Sequence, residues 1–167
     1  MADLEETALR AFTAKSGLPM QFVFKETKLF EALSKILALN KKVDLDIVMK
    51  GGTAINKIYL PEMQRFSEDI DFDLFSKTDE LKEIISIEGF ELEGPWKLKN
   101  TIRYHLVYDF FKQKDNVRIE FSTNKLRKTI NPITTGTMIS GITGVSMYNV
   151  PAYSLDDVMA RKMNALR

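Results

Sequence analysis

Aspartate and apolar residues alternate through residues 69–74, which read DIDFDL. Successive side chains of a β-strand point to opposite faces, so this acidic strand is predicted to have one acidic and one apolar face. Aspartate is uncommon in strands and neighbouring carboxylates repel each other, which makes the acidic face costly unless a cation lies between them. Asp69 and Asp71 are therefore candidate ligands of a metal ion, with a solvated strand face as the alternative.

A glycine pair, Gly51 and Gly52, separates an apolar strand predicted over residues 44–49 from a short helix predicted over residues 53–59. Glycines let the backbone turn tightly and approach a ligand closely, and amides at the start of the helix would face a phosphate. Plain connectivity explains the same pattern, because the spacing matches neither a P-loop nor a dinucleotide-binding motif. By itself the turn is a weak indication of phosphate binding.

A third carboxylate, Glu120, lies on a strand predicted over residues 116–122, whose other face is apolar. This strand is predicted to form a hairpin with residues 102–111. If it also neighbours the acidic strand, Glu120 joins the two aspartates in one metal site. A surface glutamate opposite a core face is an equally good interpretation of this segment alone.

The whole pattern predicts an α+β (mixed α/β) fold with a central mixed sheet flanked by helices. A length of 167 residues fits a single domain over residues 1–167. Ser154 and Asp157 match a capping box that opens the last helix. Residues 129–150 are predicted to be loop with one short strand, and Trp96 is assigned to the core. The predicted longer helices cover residues 3–15, 21–39, 79–87 and 154–167.

Charge is unevenly distributed, although the net charge is only +1. Residues 62–93 hold eleven acids and three bases, whereas residues 97–128 hold nine bases and three acids. Carboxylates that hold a cation, beside bases that attract a polyanion, suit a metal-dependent enzyme acting on phosphates. Two solvated faces of an ordinary domain are the alternative.

Composition excludes several other kinds of site. The absence of cysteine excludes disulfides, zinc–thiolate sites and a cysteine nucleophile, and the one histidine, His105, excludes a multi-histidine metal site. No apolar run approaches the roughly 20 residues of a membrane-spanning helix. The acidic N-terminus is unlike a secretion signal. We therefore expect a cytoplasmic protein with no membrane partner.

A dense motif runs through residues 48–74 at Lys50, Gly51, Gly52, Thr53, Ala54, Lys57, Arg65, Ser67, Asp69, Ile70, Asp71 and Phe72. This motif resembles the signature of the AbiEii/AbiGii toxin family of nucleotidyltransferases, within the DNA polymerase β-like nucleotidyltransferase superfamily. Residues 154–167 are a weaker echo of the family's later helix. The resemblance implies a polymerase β-like nucleotidyltransferase core.

The resemblance also implies roles for individual residues. Asp69, Asp71 and Glu120 would be catalytic residues that hold the metal, two Mg²⁺ (or Mn²⁺) ions. Lys162 would be a further catalytic residue that neutralises the triphosphate, with snorkelling from the apolar stripe of the last helix as the alternative. Its neighbour Arg161 is predicted to be the more exposed of the two. The residues expected to bind the nucleotide are Lys50, Gly51, Gly52, Thr53, Arg65 and Ser67.

The implied function is transfer of a nucleoside monophosphate from an NTP to an acceptor hydroxyl, with RNA or tRNA as the acceptor. Membership of an abortive-infection toxin–antitoxin system would make a cognate antitoxin the expected partner. Family members continue into a further helical region, so this chain is expected to hold mainly the catalytic core. A catalytically inactive module that binds nucleotide, RNA or antitoxin is the alternative function.

Overall fold

The computed structural model describes residues 2–62, 68–123 and 134–165. Within these ranges, the α-helices are α1 (Ala2–Ser16), α2 (Met20–Val43), α3 (Gly51–Ala54), α4 (Leu81–Ile85) and α5 (Leu155–Ala165), and a π-helical segment at Ile55–Tyr59 continues α3. The strands are β1 (Ile47–Lys50), β2 (Asp69–Leu74), β3 (Glu91–Leu98), β4 (Thr101–Phe110), β5 (Gln113–Ser122), β6 (Thr134–Ile139) and β7 (Ser146–Ala152).

The described strands form one mixed sheet in the order β3-β4-β5-β2-β1-β7-β6. The acidic strand β2 lies at its centre, antiparallel to β1 and parallel to β5. Strand β4 pairs antiparallel with both β3 and β5, and β7 pairs parallel with β1 and antiparallel with β6. The predicted α+β fold with a central mixed sheet is confirmed, as is the hairpin now numbered β4–β5.

One face of the sheet packs against helix α2. Phe72 of β2 stacks on Phe121 of β5, with 5.5 Å between ring centroids, and both side chains are fully buried. Leu33 of α2 belongs to the same apolar core. Because side chains alternate along a strand, Asp69 and Asp71 lie on the opposite face of the sheet. The predicted two-faced character of β2 is therefore confirmed.

Two parts of the sheet differ from the sequence predictions. Strand β3 was not expected, because Gly94 and Pro95 interrupt its pattern and its position at the sheet edge leaves most of its side chains exposed. The assignment of Trp96 to the core is wrong for the same reason, since this β3 residue is 41% exposed. Residues 129–150 were expected to hold one short strand, but two strands, β6 and β7, lie across this segment.

Helix α5 begins as its capping motif predicts. The Asp157 amide donates a hydrogen bond of 3.3 Å to Ser154 Oγ. The apolar stripe of this helix is mostly not buried, because Met159 and Met163 are exposed whereas Val158 enters the core. None of the helices in the described ranges is both long enough and apolar enough to cross a membrane.

Candidate active site

The pairing of β2 with β5 brings the predicted carboxylates onto one sheet face. In the parallel register Asp71 lies directly opposite Glu120, and Asp69 lies opposite Arg118. Residues directly opposite each other on paired strands share a face, so Glu120 is the lateral neighbour of Asp71. The condition that Glu120 lie on the same face as the aspartates is met, while its metal-binding role stays a prediction.

The environment of Asp71 disfavours the ionised form of its carboxyl group. Burial raises the pKa of its carboxyl to about 6, and the negative charges of Glu120 and Asp69 add to the effect. Lys50 and Arg118 act in the opposite direction without cancelling it. An ionised Asp71 is thus held at a cost that a nearby cation would relieve.

Two arginines hold the other carboxylates. Arg118 forms an ion pair with Asp69, and its Nε lies 3.5 Å from Glu120 Oε1. Arg103 of β4 bonds the same Glu120 oxygen at 2.8 Å. Within the described ranges, no three acidic or histidine side chains converge into a metal-binding group. A cation that binds here must compete with two guanidinium groups, which the sequence did not predict.

The glycine turn lies directly against the acidic strand. Gly51 has a positive φ of 75°, and a Cβ at this residue would lie 2.2 Å from Asp71 Oδ2. Glycine is thus required at position 51 both by the backbone conformation and by the carboxylate beside it. Around Gly52 no described atom lies within 4 Å of an added Cβ, so its backbone faces open space. The buried Thr53 hydroxyl donates to the Asp69 carbonyl and ties the turn to β2.

Alanine substitutions at the two glycines are expected to separate folding from ligand binding. Gly51→Ala forces a Cβ into the Asp71 carboxylate and into a left-handed conformation, which costs at least about 1–2 kcal/mol and lowers the melting temperature. Gly52→Ala meets no neighbour, so its melting temperature should equal that of the wild type within error. If phosphates approach the turn, Gly52→Ala should still weaken nucleotide binding in calorimetry. A Gly52→Ala protein that binds NTP normally would show that the turn does not approach the phosphates.

A buried aspartate, Asp73, anchors the last helix to this site. Its Oδ1 accepts from Lys50 Nζ at 2.5 Å, and its Oδ2 accepts from the Tyr153 hydroxyl at 2.8 Å and from Arg161 at 2.6 Å. The Arg161 guanidinium also stacks over the Tyr153 ring at 4.1 Å. The prediction that Arg161 is more exposed than Lys162 is therefore wrong, because the Arg161 side chain turns inward to Asp73 whereas Lys162 is exposed.

A cavity of about 230 Å³ lies between the glycine turn and α5. Three of its residues are cations, and two of these, Lys50 and Arg161, are bound to Asp73. The third, Lys162, is exposed to solvent, so its ammonium is available to a ligand. The lining residues are Lys50, Gly51, Gly52, Ile55, Val158, Arg161 and Lys162.

Among the other motif residues, Lys57 does not line this cavity. Lys57 is buried and forms an ion pair of 2.5 Å with Glu26 of α2, so its side chain is part of the core. Arg65 and Ser67, both predicted to bind the nucleotide, lie outside the described residues. Their roles stay predictions.

A family model for the nucleotidyl transferase AbiEii toxin of type IV toxin–antitoxin systems matches residues 35–167, which is most of the chain. The chain belongs to the AbiEii nucleotidyl transferase toxin family. Membership confirms the resemblance seen in the glycine turn and the acidic strand. No match was found among curated proteins.

The solved structures that resemble this AbiEii protein include JHP933 and MenT4. JHP933 from Helicobacter pylori is 25% identical with a TM-score of 0.57, over 87% of this chain and 57% of that one. The nucleotidyltransferase toxin MenT4 (Rv2826c) from Mycobacterium tuberculosis H37Rv is 18% identical with a TM-score of 0.65, over 94% of this chain and 58% of that one. The MenT4 likeness concerns the fold alone. The chain therefore spans less than three fifths of each of these structures.

Proposed function

We propose that this AbiEii protein transfers a nucleoside monophosphate from an NTP to an acceptor hydroxyl of RNA. The observation that carries the proposal is the position of Asp71, which lies beside Glu120 and against the Gly51 backbone on the open face of the sheet. The carboxylates would bind the metal ion and the glycine turn would bind the phosphates, which are the two parts that a nucleotidyl-transfer site requires.

The donor set has the chemistry that a divalent cation prefers, although the three carboxylates do not converge into a metal-binding group within the described residues. Asp69, Asp71 and Glu120 offer the hard oxygen ligands that Mg²⁺ or Mn²⁺ prefers. Burial, and then the charges of Glu120 and Asp69, raise the pKa of Asp71, and a bound cation would oppose both effects. When bound, such an ion lowers the pKa of an attacking hydroxyl and neutralises the leaving pyrophosphate. Arg103 and Arg118 serve as counter-ions of the carboxylates in the absence of the ion.

The glycine turn and helix α5 would bind the triphosphate of the NTP. Gly51 and Gly52 of the turn and Lys162 of α5 all line the cavity. Lys50 and Arg161 keep the cavity electropositive while they remain bound to Asp73. Backbone amides and cations aimed at the triphosphate would stabilise the charge that develops on the leaving pyrophosphate.

One observation favours a second function, an inactive module that binds nucleotide, RNA or an antitoxin. Arg118 and Arg103 already neutralise Asp69 and Glu120, which would suit a site that has lost its metal. The four side chains of these pairs are 23–40% exposed, so a metal ion could displace the arginines from the carboxylates, which argues against this second function.

The proposed setting of the activity is a cytoplasmic toxin–antitoxin pair, in which this protein is the toxin and its partner is a cognate antitoxin.

The proposal is tested by incubating the protein with total RNA and each α-labelled NTP in turn, in the presence of Mg²⁺. Label is expected to enter RNA from at least one NTP, and Asp71→Ala should abolish incorporation. Nucleotide binding without incorporation from any NTP would favour the inactive module.

Replacing Lys162 is expected to weaken nucleotide binding without unfolding the protein. Lys162→Met removes an exposed charge, so the melting temperature should stay unchanged. Loss of one charge-assisted contact lowers NTP affinity by roughly tenfold or more, as measured by calorimetry. Lys77→Met, an exposed lysine that follows β2, is the matched control and should bind NTP normally. Equal affinity of wild type and Lys162→Met would remove this lysine from the site.

A further inference from the structure

An exposed tryptophan lies on the same sheet face as the carboxylates. Trp96 of β3 pairs with Arg103 of β4, Arg103 pairs with Glu120 of β5, and Glu120 pairs with Asp71 of β2. This row places Trp96 three strands from Asp71, or about 14 Å at the usual strand spacing of about 4.8 Å. A large aromatic side chain that is 41% exposed at this distance is available to a ligand that also reaches Asp71.

A second ring supports the tryptophan. The His105 imidazole lies against Trp96, with 4.6 Å between ring centroids. Burial keeps the pKa of His105 below its ordinary value, so the ring is largely neutral at pH 7. Glu93 is the cross-strand partner of His105 and lies 4.0 Å from its ring. The indole therefore contacts the imidazole and is still 41% exposed to solvent.

The turn end of the surrounding hairpin is basic, whereas Glu91, Glu93 and Asp109 lie towards its other end. Residues 94–108 contain Lys97, Lys99 and Arg103 but no aspartate or glutamate. Lys97 and Lys99 are exposed, and Leu98 between them is 48% exposed. Cations interleaved with exposed aromatic and apolar side chains are the pattern of single-stranded nucleic-acid surfaces, where bases stack and phosphates meet lysines and arginines. A purely apolar patch would instead suit a protein partner.

We propose that the β3–β4 hairpin binds a single-stranded segment of the RNA acceptor, with a base stacked on Trp96, and directs the RNA end along the Arg103 row towards Asp71. The inference rests on the proposed transfer to RNA and adds the surface that receives the acceptor. Lys99, in the turn that joins β3 to β4, would contact a backbone phosphate beside the stacked base. Lys97 pairs with the core-facing Ile102 and therefore lies on the opposite face of the sheet. Because stacking is tolerant of sequence, this surface favours an unpaired end over a particular base.

The chain's one tryptophan provides a direct test. A short single-stranded oligoribonucleotide is titrated into the wild-type protein in EDTA without NTP, so that no transfer takes place. We expect saturable quenching of the Trp96 fluorescence. An abasic oligomer of equal length should cause no such quenching.

Substitutions of Trp96 then measure how much this side chain contributes to RNA affinity. By anisotropy of a labelled oligoribonucleotide, Trp96→Ala should weaken binding by about five- to a hundredfold. Trp96→Phe should retain most of the affinity. Phe111→Ala, which removes another exposed aromatic side chain at the far end of β4, is the matched control and should bind as the wild type does.

The inference would be overturned by unchanged tryptophan fluorescence at saturating RNA, or by equal RNA affinity of the wild type and Trp96→Ala. Absence of any RNA binding would also overturn it and would favour a protein partner on this hairpin. Stacking on Trp96 without label transfer from any NTP would contradict the proposed function alone. Label transfer that is insensitive to Trp96→Ala, with unchanged RNA affinity, would contradict this inference alone.

Discussion

Asp71→Asn is expected to abolish nucleotidyl transfer and at the same time to raise the melting temperature. The asparagine keeps the size of the side chain but cannot supply the anionic ligand, so transfer should fall by roughly a thousandfold, the upper end for loss of one charge-stabilising group. The carboxyl pKa of about 6 shows that the folded protein holds this charge unfavourably at neutral pH. Removing the charge should stabilise the protein by up to about 3 kcal/mol, or by up to roughly 10 °C in melting temperature.

The stability difference between Asp71→Asn and the wild type should depend on pH. Because the folded protein raises the pKa of Asp71, it binds the proton more tightly than the unfolded chain does. The stability advantage of Asp71→Asn should therefore be full above pH 7 and shrink as the pH falls through about 6. Asp109→Asn, an exposed strand aspartate of β4, is the control and should change neither activity nor melting temperature. A large fall in melting temperature for Asp71→Asn would indicate a structural role instead.

Lys57→Met is expected to destabilise the protein strongly. Lys57 Nζ lies 2.5 Å from Glu26 Oε1, and the two side chains are 4% and 0% exposed. The same oxygen accepts from Ser140 Oγ at 2.9 Å, while Oε2 has no hydrogen-bond partner among the described residues. Loss of the lysine leaves a buried charge, which costs about 3–5 kcal/mol, so the melting temperature should fall by roughly 10 °C.

The double variant Glu26→Met, Lys57→Met is expected to recover most of this loss, because it removes both buried charges together. Lys114→Met is the matched control, since Lys114 and Glu91 are also 2.5 Å apart but more than 60% exposed. It should leave the melting temperature unchanged. A small effect of Lys57→Met on stability, combined with loss of NTP affinity, would place Lys57 in the phosphate site instead of the core.

The sequence predicted the two faces of β2 because alternation of Asp and apolar residues is a local property. It could not predict the arginine pairs, because Arg118 and Arg103 meet Asp69 and Glu120 only through the strand register. The burial of Lys57 depends on a helix 31 residues earlier in the chain, so its place in the motif suggested a site instead of a core.

Helix α5 shows a second limit of pattern reasoning. Apolar spacing placed Lys162 in a buried stripe, but that stripe is largely exposed, and the inward cation is Arg161. The deciding contact is the ion pair of Arg161 with Asp73, which lies 88 residues away in the chain. The weak motif in this helix did not predict the orientation of its side chains.

Manganese binding tests the central claim most directly. In a titration of protein with Mn²⁺ monitored by electron paramagnetic resonance, the free-ion signal is expected to fall with the wild type and with Asp109→Asn. Asp71→Asn, confirmed as folded by its melting temperature, should leave the free-ion signal as it is in buffer alone. Equal Mn²⁺ binding by the wild type and Asp71→Asn would contradict the assignment of the acidic strand as the metal-binding catalytic centre.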